Sequence, residues 1–219
     1  MSALKPVAVQ PDLVNQVYVS LRDAICEGHL KPGERLNQDQ LAGRLHVSRQ
    51  PVVQAIQLLK SQGFVRDTGR RGVEIAPLSA AEALHLYQIR AALDGLAARE
   101  AARLNPGLAR IEGQTLIDRG RLCNQKGDVL ELARADMAFH QLVYRLSENP
   151  LINATIAPHW HHLLRIMVVV LKNVPPVLAV WDEHAAILQA ISQGDGVEAE
   201  RLARRHGEQA AQRIVPRLS

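Results

Sequence analysis

The chain of 219 residues carries only two cysteines, Cys26 and Cys123, far apart in sequence. They form no metal-ligand pair with each other, so two reduced thiols of a cytosolic protein are expected. Long apolar runs are missing too. The longest strongly apolar stretch, Ile166 to Leu171, is far too short to span a bilayer. No apolar run follows a basic start, so neither a membrane span nor a secretory signal is expected. Internal repeats and low-complexity tracts are absent. A strong charge of one sign is lacking as well: 26 Lys+Arg against 22 Asp+Glu gives a net charge of +4. That value suits a soluble enzyme equally well, so the distribution of charge matters more than its sum. What remains is ordinary globular composition, 47% hydrophobic and 22% charged, which argues against disorder. The length allows one large domain or two small ones in a soluble, cytoplasmic protein.

The pattern of turns divides the chain. Residues 1–12 lack periodicity and are expected to form a flexible arm. Leu13, Val17, Leu21 and Ile25 recur at helical spacing until Gly28 stops them. Lys31-Pro32-Gly33 reads as a turn. A short helix follows, with Asn37 as its N-cap and Leu41, Ala42 and Leu45 inward. After the tight link His46-Val47-Ser48, a third helix runs to about Gln62 and ends at Gly63. Ser48 can cap it, and Pro51 sits harmlessly in its first turn. Phe64–Arg66 and Gly72–Ile75 then read as two strands around a basic tip from Asp67 to Arg71, closed by Pro77. Residues 13–77 are therefore expected to form one compact domain of three helices and a hairpin. Residues 78–219 read as helix nearly throughout. Breaks at Asn105-Pro106-Gly107, Lys126-Gly127, Asn149-Pro150, Val174-Pro175-Pro176 and Gly194-Asp195-Gly196 give about six helices. Loops this short join antiparallel neighbours, hence a bundle. The fold class is mainly α, a winged helix-turn-helix followed by an all-helical antiparallel bundle.

The third helix is built to be read from outside. Val52, Ala55, Ile56 and Leu59 share its core face, which leaves Arg49, Gln50, Val53, Gln54, Gln57 and Lys60 opposite. Arg and Gln have the forked geometry that suits guanine and adenine edges. Arg70, Arg71 and Gly72 at the hairpin tip can approach a backbone or minor groove. Periodicity alone leaves a solvated polar face as an equal reading.

The stretches Leu30-Lys-Pro-Gly-Glu-Arg-Leu, Leu41-Ala, Val47-Ser-Arg-Gln-Pro-Val, Leu59 to Gly63-Phe-Val and Arg71-Gly-Val resemble the N-terminal domain of the GntR family of regulators. The resemblance covers roughly residues 13–77. It implies that Ser48 and Arg49 open a recognition helix and that the tip with Arg71 and Gly72 enters the minor groove. The family usually has Arg-Glu after Pro-Val, whereas this chain has Val53 and Gln54. An apolar Val53 can touch a thymine methyl but cannot bind guanine or phosphate. A non-standard operator, or heavier reliance on Arg49 and the wing, is the expectation.

The second half holds candidate metal ligands. Leu132, Phe139, Val143 and Leu146 form an apolar stripe on which Asp136 and His140 also sit, one turn apart. Polar groups on a buried stripe need a partner, and an i, i+4 carboxylate and imidazole can share a cation. His184, with Ile187, Leu188 and Ile191, and His206, with Ala199, Leu202 and Ala203, face inward on two further helices. One Asp and three His suit zinc, nickel, manganese or a similar divalent ion, with room for water or a ligand. A lone inward His is ordinarily a hydrogen-bonded core residue, and Asp136–His140 alone can be a simple ion pair. His159, His161 and His162 form a rival cluster, but adjacent residues cannot face one side together.

Asp136-x-x-Phe139-His140, Ser147-x-Asn149-Pro150-Leu151, Glu183-His184-x-x-Ile187-Leu188, Gly194-Asp195 and His206 resemble the helical effector-binding domain, FCD, of the FadR subgroup of GntR regulators. The resemblance spans about residues 80–215. It implies that Asp136, His140, His184 and His206 hold a divalent metal, zinc first, and that the metal helps bind a carboxylate effector. It also implies that Arg90 assists; Arg165 is a second inward arginine. A homodimer binding a double-stranded, near-palindromic DNA operator and released by an organic acid, acting as a repressor, is the reading this supports. Two rivals remain at this stage. One is a regulator for which the ion itself is the effector. The other is a metal-dependent hydrolase, disfavoured because Glu183 points about 100° away from His184 on a helix.

Overall fold

A computed structural model describes residues 13–69, 72–172 and 179–218. The chain divides into two compact units, Met1–Pro77 and Leu78–Ser219. The arm expected over residues 1–12 lies outside the described residues.

In the first unit α1 (Leu13–Cys26), α2 (Gln38–Leu45) and α3 (Arg49–Ser61) precede a hairpin of β1 (Val65–Thr68) and β2 (Gly72–Ile75). The expected inward residues fill its core: Val17, Leu21 and Ile25 from α1, and Val52, Ala55, Ile56 and Leu59 from α3, are all buried. The Asn37 side chain caps α2, accepting from the amides of Asp39 and Gln40. Ser48 occupies the N-cap position of α3, but its side chain makes no capping hydrogen bond. The first strand extends beyond its expected end. The register pairs Val65 with Ile75 and Thr68 with Gly72, so Asp67 and Thr68 belong to the ladder rather than to the tip. The segment after Lys31-Pro32-Gly33 also joins this sheet. Leu36 donates its amide to the Val73 carbonyl, while Ile75 donates to the Glu34 carbonyl.

In the second unit α4 (Ala80–Leu104), α5 (Pro106–Lys126), α6 (Val129–Leu146), α7 (Pro150–Ile156), α8 (Trp160–Leu171), α9 (Ala179–Ser192) and α10 (Gly196–Ile214) form the expected helical bundle. One break was not expected. A 3-10 turn at Ala157–His159 divides α7 from α8, and Pro158, which cannot donate to the ladder, lies within it. Two glycines set helix spacing. A Cβ on Gly207 would lie 2.7 Å from Ala91 Cβ and 2.8 Å from its Cα, so α10 touches the α4 backbone there. Gly120 leaves on α5 the space that the Trp181 ring of α9 fills. These contacts seat α10, which carries His206, on α4, and seat α9, which carries His184, on α5. Among the described residues, no helix is long and apolar enough to cross a membrane.

Candidate metal centre and DNA-reading helix

Four side chains from three helices meet inside the bundle. Asp136 and His140 come from α6, His184 from α9 and His206 from α10, and one donor atom from each lies within 4.8 Å of all the others. Their burial is nearly complete, from 0% exposure at His184 to 6% at Asp136. His184 Nε2 stands 3.3 Å from His140 Nε2, 3.1 Å from His206 Nε2 and 3.4 Å from Asp136 Oδ1. Asp136 Oδ2 is 3.9 Å from His140 Nε2.

Hydrogen bonds on the outer side of this cluster fix which nitrogens turn inward. His140 Nδ1 meets Asp94 Oδ1 at 3.2 Å, and the Tyr144 hydroxyl donates to the same oxygen. His206 Nδ1 meets Glu183 Oε2 at 2.7 Å. With a carboxylate accepting at Nδ1, each imidazole keeps its proton there and directs the Nε2 lone pair to the centre. Arg213 clamps Glu183 through two bonds of 2.7 and 2.8 Å. Arg90 donates to Asp136 Oδ2 at 3.0 Å and lies 3.5 Å from Asp94 Oδ2, which leaves Asp136 Oδ1 facing the imidazoles. His184 has no such outer partner; its Nδ1 is buried without a hydrogen bond among the described residues.

The electrostatics favour neutral His140 and His184 and ionised carboxylates. Burial, then the neighbouring His206 and His140, pushes His184 well below the usual histidine range. Burial and Arg90 lower His140 despite the opposing carboxylates. Burial would raise Asp94, but His140, Arg90 and Tyr144 outweigh it and hold the carboxyl at about 2. Burial likewise opposes ionisation of Asp136, and Arg90 with the histidines brings it below the ordinary value.

A divalent ion fits this donor set. An ion bound at 2.0–2.1 Å by four tetrahedral ligands needs donors about 3.3 Å apart. His184 Nε2 lies 3.1–3.3 Å from the Nε2 atoms of His206 and His140, and with the protons of those two rings on Nδ1 a central cation would satisfy all three nitrogens at once. Beside the cluster lies a cavity of about 100 Å³ whose described lining includes Tyr87, Arg90, Asp136, His206 and Arg213. Arg165 is buried on α8 but is not among the cavity-lining residues, so the arginine that reaches both cluster and cavity is Arg90. Sequence reasoning missed Asp94 and Glu183. Arg90-x-x-x-Asp94 within an alanine-rich helix was the available signal for the first. For the second, the reading of Glu183 held only along α9: it turns from His184 but meets His206 of α10.

The other expected site has the opposite character. Arg49, Gln50 and Gln54 are exposed on α3, with Ser48 at its start and Val53 half-buried between them. Arg49 rests on Gln38 Oε1 at 3.2 Å and Asp39 Oδ1 at 3.5 Å. Exposed contacts of this kind hold loosely and release readily to a phosphate or base. Lys60 is less available, because it pairs with Asp67 of the hairpin. Arg70 and Arg71 lie outside the described residues. Gly72 has a reason within the hairpin itself, since a Cβ there would lie 2.8 Å from the Thr68 carbonyl.

Comparison with known proteins gives a family match in each half of the chain. The gntR family of bacterial regulatory proteins matches residues 13–75, and the FCD domain family matches residues 85–209. The chain is 34% identical to the Bacillus subtilis HTH-type transcriptional regulator YdhC, over 61% of this chain and 60% of that protein. It is 25% identical to the Escherichia coli HTH-type transcriptional repressor RspR over 91% of this chain and 87% of that one. The solved structure of E. coli McbR/YncC shares the fold, with a TM-score of 0.78, 20% identity, and coverage of 97% of this chain and 100% of that one.

Proposed function

The chain belongs to the GntR family of bacterial regulatory proteins, with an FCD domain following its DNA-binding domain, and from this premise we propose a metal-containing, ligand-responsive repressor. The matched families and relatives are DNA-binding regulators of transcription, not enzymes. The finer reading is that Asp136, His140, His184 and His206 hold one divalent ion, zinc before nickel or manganese. The observation that carries it is the convergence of three imidazole Nε2 atoms and one carboxylate oxygen, each backed by or free of an outer partner as described above.

A bound ion supplies a Lewis acid for an anionic oxygen. The chain's own residues do the rest. Asp94 and Glu183 set the tautomers of His140 and His206, and Arg90 aims one Asp136 oxygen inward. The adjoining cavity, onto which Asp136 and His206 open, favours an organic acid as effector over the ion alone. Glu183 is committed to His206 and Arg213, which removes it as a general base for hydrolysis. Ser48, Arg49, Gln50, Val53 and Gln54, with Arg70, Arg71 and Gly72 of the wing, are the proposed DNA contacts. Two such heads in a homodimer would read a near-palindromic operator in the cytoplasm. The name of the matched repressor RspR supports repression as the direction.

The test compares the metal-loaded protein with His184→Ala in gel shifts on its own promoter fragment. Wild type should bind and be released by a carboxylic acid, whereas the variant should bind and stay bound. Release that persists in the variant, or a large change in DNA affinity from metal alone, would contradict this reading.

A further inference from the structure

The cavity beside the cluster has two unlike ends. Asp136 and His206 open onto it together with Arg90, Arg213 and Arg217. Most of the remaining wall is apolar: Leu132, Met167, Val170, Val180, Trp181 and Ile214.

Charge at the polar end is close to balance before any ion binds. Arg90 is bound to Asp136 and lies against Asp94, and Arg213 is bound to Glu183. Arg217 also lines the cavity, but it is exposed and donates to the Arg213 carbonyl. Two guanidiniums against three carboxylates leave one negative charge, so a divalent ion held by the imidazoles would turn the polar end net positive, which calls for an anion on the ligand.

The rest of the wall offers two further polar groups, the Asn124 side chain and the Tyr87 hydroxyl, the latter buried without a hydrogen-bond partner among the described residues. Asn124 is 2% exposed and faces the cavity, and no hydrogen bond to its side chain is found among the described residues. An acid with more polar groups than these two can meet would leave the rest buried against aliphatic and indole carbon, unpaired and costly. A cavity of about 100 Å³ is smaller than one of roughly 150 Å³ that admits benzene, so the body it takes has fewer than benzene's six carbons.

We infer that the effector is a monocarboxylate with a short apolar body, its carboxylate at the Asp136–His206 end and its hydrocarbon against Leu132, Met167, Val180 and Trp181. This rests on the metal-and-carboxylate reading above and specifies the class of acid.

The experiment is calorimetric titration of the zinc-loaded full chain with acetate, butanoate and hexanoate, and with citrate as the polar comparison. Burial of each added methylene predicts about a fourfold fall in Kd, and hexanoate should bind more tightly than citrate. Hexanoate no tighter than acetate, or weaker than citrate, overturns the inference while leaving a carboxylate effector standing. Binding of none of the four acids overturns both readings. Val180→Asp places a charge on the apolar wall away from the metal ligands. It should weaken hexanoate at least about tenfold and leave acetate binding and zinc content unchanged; equal weakening of both acids would count against the assigned orientation.

Discussion

On α3 the side chains of Arg49, Gln50 and Gln54 stand in solvent, whereas Arg90, Asp94, Asp136, His140, His184 and His206 of the bundle are almost wholly withdrawn from it. Among the described residues the first set has loose contacts or none, as side chains proposed to meet DNA should. The second is knitted into a network of its own before any ligand arrives. Polar residues announce function in opposite ways in the two units: by exposure on an otherwise amphipathic helix, and by burial in a core that should have excluded them. Substitutions should accordingly disturb folding in one unit and recognition in the other.

The largest effect on stability is expected at Arg90. Arg90→Ala removes the cation from two buried carboxylates, Asp94 and Asp136, and should cost about 3–5 kcal/mol in chemical denaturation of the metal-free protein. A loss below 1 kcal/mol would mean that the network is looser than its geometry implies. Next comes Glu183→Gln, which weakens both the His206 and the Arg213 contacts while leaving all four ligands in place. Metal affinity, read by competition with a chromophoric chelator, should fall about 10–100-fold.

Acidification sharpens the contrast further. His140 and His184 titrate below their ordinary range in the folded protein, so between those values and pH 6.5 the unfolded chain binds more protons. Stability of the chelated protein should therefore decline as pH falls below about 6.5, visible as a lower thermal midpoint. The smallest effect on folding is expected at Arg49. Arg49→Ala should change stability by no more than about 0.5 kcal/mol yet weaken operator binding by about 1–3 kcal/mol, a difference that fluorescence anisotropy resolves.

Much of this architecture was legible in the residues. The stripe Val52, Ala55, Ile56 and Leu59 faces the core of the first unit, and Asp136, His140, His184 and His206 meet as their inward positions implied. Periodicity works for both because each residue's direction is fixed by its own helix. It cannot report what another helix brings alongside. Asp94 reaches His140 across 46 positions and Glu183 reaches His206 across 23, so the outer carboxylates emerge only from packing. The same limit applies to the third strand-like segment around Leu36, whose ladder bonds run to β2. Pro158 is a different case. Its signal was local, but a single proline inside a helical pattern can kink as well as break, and here it marks a 3-10 turn.

The central claim is that the bundle's buried polar cluster is a divalent-metal site. Elemental analysis of the protein purified without chelators, beside His184→Ala and Arg49→Ala prepared identically, tests it most directly. One ion per chain in wild type and Arg49→Ala, with the ion lost from His184→Ala, is the predicted result. A metal-free wild type that also takes up no zinc, nickel or manganese on titration would contradict it.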